Sequence, residues 1–247
     1  MSTSKNIQQK QLPLTSRGES LDLEVTRDYL TTLTPQERLN WGLRTFEDKF
    51  TLTTSFGIQS AVSLHMLSQL QEKVQVIWID TGYLPLETYQ YAETLCELFS
   101  VSVWIAQSSI SPGRMEALYG RLWETGSIED LEKYHQIRKV EPLENAFEMN
   151  SVSCWASGVR GNQTDHRSSM SALDSIRGRW SLRPLLNWTK KDIFYYMKEY
   201  NIPQHPLFDK GYSTVGDWHS SAPDGQEISG RSTRFGGLKQ ECGIHIT

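Results

Sequence analysis

Cysteine is scarce in this chain of 247 residues: there are three, at irregular spacing and with no C-x-x-C pair among them. An odd count so arranged builds no disulfide framework and no zinc or cluster site, and it fits a reducing cytoplasm. Long apolar runs are absent too, so no signal peptide and no membrane-spanning stretch is expected. There is no excess of positive charge, the formal net charge being −4, which excludes a generic nucleic-acid binder held by a basic surface. Neither G-x-x-x-x-G-K-[ST] nor G-x-G-x-x-G occurs, so the usual phosphate motifs are missing, and no internal repeat is visible. What remains is the composition of an ordinary soluble domain, with 38% hydrophobic and 22% charged residues, long enough for one substantial core.

Periodicity divides the chain into a polar flexible arm over 1–20, an α/β domain over 21–208 and a loop-rich C-terminal arm over 209–247. Thr34 as N-cap, Pro35 at the first helical position, Glu37 in the first turn and apolar Leu39, Trp41, Leu43 and Phe46 predict a helix in "TPQERLNWGLRTFEDKF", leading into the core. "FTLTTSF" and "VQVIWID" read as strands flanking the helical "GIQSAVSLHMLSQLQEK", a βαβ unit. A helix from Pro85 and a third strand, "VSVWIAQ", extend it with right-handed parallel connections. Helical text of mixed charge follows to Asn150, then a strand in "SVSCWASGVRG" and a helix capped by Thr189. After Pro203 regular periodicity fades.

Three loops fall where open α/β sheets bind ligands, at the C-terminal ends of strands. In "TTSFGIQSAV" the hydroxyls of Thr53, Thr54, Ser55 and Ser60, with Gly57, suit a turn that closes backbone N–H groups around an anion. A plain strand-to-helix turn explains the same residues. Asp80, Thr81 and Gly82 end the second strand, and helix capping is the simpler account of them. Arg160, Gln163, His166 and Arg167 crowd one loop. Guanidinium forks match phosphate and sulfate bidentately, although a solvated basic loop is the alternative. From Ser151 to Lys191 seven positive residues face two negative ones. His166 has no second ligand beside it, so no metal site is expected.

Cys96 and Cys154 sit in apolar helix and strand text and read as small core residues. Cys242 stands apart, near Arg231, Arg234, Lys239 and His245, whose charges would favour its thiolate. A lone tail cysteine is still more often incidental than catalytic.

Taken in order, "SFGIQSAV", "DTGYLPLETYQ", "KVEPL", "GVRGNQTDHR", "HPLFDKGYSTVGDWH" and "RFGGLKQECGIH" resemble the phosphoadenylyl-sulfate reductases, the thioredoxin-dependent assimilatory sulfonucleotide reductases. The resemblance implies a Rossmann-like α/β fold of the adenine nucleotide alpha hydrolase (ATP-pyrophosphatase, PP-loop) type. Its mostly parallel sheet is flanked by helices, a mobile C-terminal tail follows, and the assembly is a homodimer. It implies reduction of 3′-phosphoadenylyl sulfate (PAPS) to sulfite and adenosine 3′,5′-bisphosphate in cytoplasmic sulfate assimilation, the route to sulfide and cysteine. Cys242 would be the nucleophile, passing through a cysteine S-sulfonate that reduced thioredoxin, or glutaredoxin, resolves. Carried over residue by residue, Ser55, Gly57, Gln59 and Ser60 form the phosphate loop. Asp80, Thr81 and Gly82 serve the adenosine side. Lys139, Arg160, Gln163 and Arg167 take sulfate and phosphates, with Arg231, Arg234 and Lys239 joining when the tail closes.

Related adenylyl-sulfate (APS) reductases carry cysteine pairs that hold a [4Fe–4S] cluster. Here Tyr134 and His135 stand at the first pair, and Asp217 and Ser220 at the second. Thiolates that are missing build no cluster, so no bound cofactor is expected and the 3′-phosphorylated substrate is favoured. Three alternatives stay open: a cluster-free APS reductase, an ATP-pyrophosphatase-type adenylating enzyme, and a non-catalytic nucleotide-binding protein. The second would want an SGGxDS-type loop, and the last would bind adenosine 3′,5′-bisphosphate without forming sulfite.

Overall fold

A computed structural model describes residues 12–70, 72–226, 229–238, 241 and 243–245. Lys239 and Cys242 lie outside the described residues. In chain order the regular elements are α1 (Leu23–Thr31), α2 (Pro35–Phe46), β1 (Phe50–Thr54), α3 (Ser60–Ser68), β2 (Gln75–Asp80), α4 (Leu86–Phe99) and β3 (Val103–Gln107). They continue with α5 (Pro112–Tyr119), α6 (Ile128–His135), α7 (Glu141–Met149), β4 (Cys154–Ser157), α8 (Asp165–Ser168), β5 (Leu173–Ile176), β6 (Arg179–Leu182) and α9 (Lys190–Glu199).

The helix starts follow from local chemistry. Thr34 and Glu37 exchange side-chain and backbone hydrogen bonds in a capping box at α2, with Pro35 in the first turn, and Thr189 and Asp192 do the same at α9. The six strands run in the order β3-β2-β1-β4-β6-β5. All neighbours are parallel except β5 and β6, which pair antiparallel.

Alternation along the strands sorts side chains onto two faces. Leu52, Val76, Trp78 and Ala156 join the larger core, with residues of α2, α3, α4 and α9. Ile77, Ala106 and Trp155 point the other way, onto Leu143, Ala146 and Phe147 of α7. Cys154 is wholly buried, and Cys96 is half-buried against the larger core.

Two hairpin strands and two helices were not legible from periodicity: β5, β6, α1 and the four-residue α8. The turn joining β5 to β6 has only two residues, Arg177 at φ 48° and Gly178 at φ 78°. Positive φ at both positions is the geometry that matches the twist of a tight hairpin. Of the expected N-terminal arm, residues 12–16 touch the body of the protein, while 17–20 are exposed. Leu12 packs on the core, the Pro13 carbonyl accepts from Trp180 Nε1 at 2.9 Å, and Ser16 N donates to the Thr45 carbonyl at 2.8 Å. Beyond Glu199 the described residues form only loops and short 3-10 turns, at Trp218–Ser220 and Gly230–Gly237. No helix among the described residues is long and apolar enough to cross a membrane.

Candidate active site

β1 and β4 are neighbours at the centre of the sheet, and the loops leaving their C-terminal ends form the walls of one cleft of about 190 Å³. The loop after β1 contributes Ser55, Gly57, Gln59 and Ser60, and the loop after β4 contributes Ser157, Gly158, Gln163 and Arg167. This is the edge at which parallel sheets expose the N-termini of their crossover helices.

The first loop is held by its own hydroxyls. Thr54 Oγ1 accepts from Phe56 N at 3.2 Å, and Ser60 Oγ donates to the Gly57 carbonyl at 2.7 Å. Phe56 adopts φ 45°, a costly conformation for a bulky residue, and it is kept there by complete burial with its ring edge-on to Trp78, centroids 4.9 Å apart. A Cβ at Gly57 would stand 3.2 Å from the Val215 carbonyl, so a side chain there would require the facing loop to give by a few tenths of an ångström.

In the second loop, the Arg160 guanidinium bonds Gln59 and Asn162, tying the two loops together. Arg160 is 2% exposed and does not line the cleft. Burial, with the charge of Arg167 next, brings its pKa down to about 10, still cationic at neutral pH. The Gln163 side-chain oxygen accepts from Arg160 N at 3.0 Å and also from Arg167. Ser157 Oγ is buried, lines the cleft and has no hydrogen-bond partner among the described residues.

The far wall belongs to the C-terminal segment. Arg231, Ile244 and His245 line the same cleft. Glu241 is clasped by Arg167, with Nε at 2.9 Å from Oε1 and Nη2 at 2.8 Å from Oε2. Thr164 Oγ1 adds a hydrogen bond at 2.9 Å, and Arg231 stands at 3.6 Å. Burial works against the Glu241 carboxylate, but the Arg167 hydrogen bond and charge outweigh it and leave its pKa below the ordinary value. His245 stacks on Trp155 at 5.2 Å and 19°. Burial first, then Arg167 and the neighbouring arginines, hold it neutral, well below the ordinary histidine pKa.

Several expected site residues are elsewhere. Asp80 accepts from Gly82 N and Tyr89 Oη through Oδ1, at 2.8 and 2.7 Å, and from Gln107 Nε2 through Oδ2 at 2.8 Å. Asp80, Thr81 and Gly82 thus fix a turn, and none of them lines the cleft. Lys139 is 6% exposed, with Nζ 2.6 Å from the fully buried Asp217, which also accepts from Thr81 Oγ1 at 2.5 Å. Burial opposes ionisation of Asp217, yet Lys139 and Arg234 hold its pKa well below the carboxylate range. Arg234 packs against Gly216 beside this group rather than in the cleft. Tyr134, His135, Asp217 and Ser220, the positions compared above with cluster cysteines, are all at most 3% exposed. Around them His219 stacks on Trp123 at 4.1 Å and bonds Tyr134 Oη at 3.0 Å. No group of three or more His, Cys, Asp or Glu among the described residues is arranged to hold a metal ion.

Much of the basic stretch between Ser151 and Lys191 is also structural. Arg177 and Arg179 both pair with Glu144, and Arg183 pairs with Asp174. Conversely, sequence reasoning missed Ser157, Gly158, Ser213 and Thr214 as cleft residues. The small, hydroxyl-rich text "GYSTVG" was the available signal for the last two.

The family model for the phosphoadenosine phosphosulfate reductase domain matches residues 49–223. A phosphoadenosine 5′-phosphosulfate reductase from Synechococcus sp. is 52% identical over 209 residues, 84% of this chain and 90% of that protein. One of the same name from Synechocystis sp. is 44% identical over 227 residues, covering 92% and 91%. Among solved structures, the phosphoadenylyl-sulfate reductase of Candida auris in a phosphate complex superposes with a TM-score of 0.70 at 27% identity, covering 86% of this chain and all of that one. The FMN adenylyltransferase of Candida glabrata with FAD and inorganic pyrophosphate is similar in fold alone, with a TM-score of 0.58 at 13% identity over 83% of this chain and 70% of that one. The sheet order, the loops meeting at its C-terminal edge and these matches lead to one conclusion: the chain belongs to the phosphoadenosine phosphosulfate reductase family, oxidoreductases that act on a sulfur group.

Proposed function

We propose that the protein reduces PAPS to sulfite and adenosine 3′,5′-bisphosphate in cytoplasmic sulfate assimilation, with Cys242 as nucleophile and reduced thioredoxin as electron donor. The observation that carries this reading is the seating of the tail: Glu241 is bound to Arg167, and Ile244 and His245 line the cleft that also holds the loop after β1. The residues on both sides of the cysteine therefore meet the anion-handling edge of the sheet.

The Cys242 thiolate attacks the sulfate sulfur. An S–S bond forms, the S–O bond to the 5′-phosphate breaks, and adenosine 3′,5′-bisphosphate leaves with that electron pair. A thioredoxin thiolate then attacks Cys242 Sγ and displaces sulfite, and its second thiol resolves the mixed disulfide, so the dithiol supplies two electrons. Ser55, Gly57, Gln59, Ser60 and Gln163 would hold the phosphates, and Arg167 and Arg231 offer the positive field that an anion needs to approach a polyanion. Lys239 belongs to the same tail, and Lys139, Arg160 and Arg234 act from behind the cleft as fixed charge. Glutaredoxin is the alternative donor. A homodimer is the proposed assembly, and no resident cofactor takes part.

Cys242→Ser tests the chemistry. The variant is expected to bind adenosine 3′,5′-bisphosphate, to gain no sulfonate mass when incubated with PAPS, and to release no sulfite with thioredoxin. Sulfite production by that variant at the wild-type rate would sink the proposal. Competing PAPS against APS in one assay decides the substrate.

A further inference from the structure

The chemistry just proposed needs one sulfur delivered accurately to a bound substrate, and this inference rests on that reading. The segment that carries Cys242 is gripped from both sides. Before it, Glu241 is clasped by Arg167 and Thr164. After it, Arg177 Nη1 donates to the Gly243 carbonyl at 3.1 Å and Nη2 to the Ile244 carbonyl at 2.9 Å. Arg177 Nε meanwhile donates to Glu144 Oε1 at 2.7 Å.

The Arg177 contacts act on the main chain, so they fix the path of the segment rather than the identity of its side chains. Arg177 is itself well supported. It occupies the two-residue β5–β6 turn, and Glu144, its carboxylate partner, extends from α7 and also pairs with Arg179. Gly243, the first residue of the second gripped stretch, takes φ 80°, a left-handed conformation that suits glycine. Arg177 does not line the cleft. A guanidinium committed to two tail carbonyls and one carboxylate has its effect through the tail and not through a bound anion.

We propose that Arg177 is a positioning residue for the nucleophile, working with Glu241 to hold the two flanks of Cys242 against the cleft. The reaction then depends on Arg177 in its first half, when the thiolate must meet the substrate, and not in its second, when the sulfonate must meet a protein thiol.

The test uses the full-length reduced protein in single turnover with PAPS and no thioredoxin, following sulfonate mass on the Cys242 peptide against PAPS concentration. Arg177→Gln is expected to lower the maximal rate at least tenfold, while the half-saturating PAPS concentration stays within about twofold. Arg177→Lys, which keeps one donor for a carbonyl, should recover part of the rate, and Glu241→Gln should lose rate in the same direction. Removal of sulfonate from isolated S-sulfonated Arg177→Gln by thioredoxin should be at least as fast as in the wild type. Hydrogen exchange at residues 241–247 of the same variant, without substrate, should rise. An unchanged maximal rate in a folded Arg177→Gln protein overturns the proposal, as does a rise in half-saturating PAPS with no loss of rate. If Arg177→Gln does not fold, the lysine and Glu241→Gln variants decide between the same two outcomes through rate and exchange. Failure of the wild-type protein to gain sulfonate at Cys242 would instead overturn the functional reading, and the exchange experiment would still judge the grip.

Discussion

Phe56 and Gly57 carry opposite demands within two residues. Phe56 accepts a strained φ because its ring is locked in the core, and that lock sets the path of the next peptide. At Gly57 the Val215 carbonyl stands so near that an added Cβ would be 3.2 Å from it. Gly57→Ala is expected to raise the KM for PAPS about tenfold, since the loop must withdraw by a few tenths of an ångström, while thermal stability falls by less than about 1 kcal/mol. Steady-state kinetics beside a melting curve check this, and equal loss in both would place the effect in folding instead. This loop was legible because Thr53, Thr54, Ser55, Gly57 and Ser60 announce a tight hydroxyl-lined turn after an apolar strand. The bonding of Asp80 was not, because the same letters serve an adenosine site or a helix cap, and its partners Tyr89 and Gln107 are brought from other elements. Lys139 shows the same limit, its partner Asp217 lying far along the chain.

At the scale of elements, β1, β2 and β3 announce themselves as β-branched and aromatic runs, and α2 and α9 by their capping residues. β5 and β6 hide because "LDSI" and "RWSL" are four residues each and mix polar with apolar. Their turn, Arg-Gly, supplies the required glycine at its second position without the usual asparagine or aspartate before it. Gly178→Ala forces a Cβ into φ 78° and is expected to cost about 1–2 kcal/mol, read as a lower unfolding midpoint. Because Arg177 sits in that turn, the same variant should also slow sulfonation of Cys242. A full-rate variant with a normal melt would show that the turn is more compliant than its dihedrals imply.

Across the whole molecule, burial lowers the pKa of His65, His205, His219 and His245, with His205 and His219 brought to about 4. His205 is fully buried. Its Nδ1 accepts from Leu207 N at 3.1 Å and its Nε2 meets Thr88 Oγ1 at 3.1 Å, so both nitrogens are used by the neutral ring. A histidine whose folded pKa lies below its unfolded one binds fewer protons when folded. Stability is then full above about pH 6.5 and declines as pH falls toward the folded value. For His205 alone the loss between pH 7 and 5 comes to about 2 kcal/mol. Chemical denaturation at the two pH values should show at least that difference for the wild type, and a smaller one for His205→Gln. Equal slopes for the two proteins would remove His205 from the account. Glu241 and Asp217 act in the same direction at lower pH, where their depressed pKa values are reached.

Ile244 is 8% exposed and belongs to the core beneath α7, and His245 covers one face of Trp155, itself 1% exposed. Lifting this segment away would wet an isoleucine, at a cost of roughly 1.5–3 kcal/mol. By that side chain alone, the lifted form is held to between roughly one molecule in ten and one in a hundred at any moment. If the protein works as proposed, a partner that collects the sulfur from outside the cleft must therefore wait for that rare wetting of Ile244 or pull the segment out through its own contacts. Under the proposed function, handover of the sulfur is thereby tied to the packing of the hydrophobic core itself.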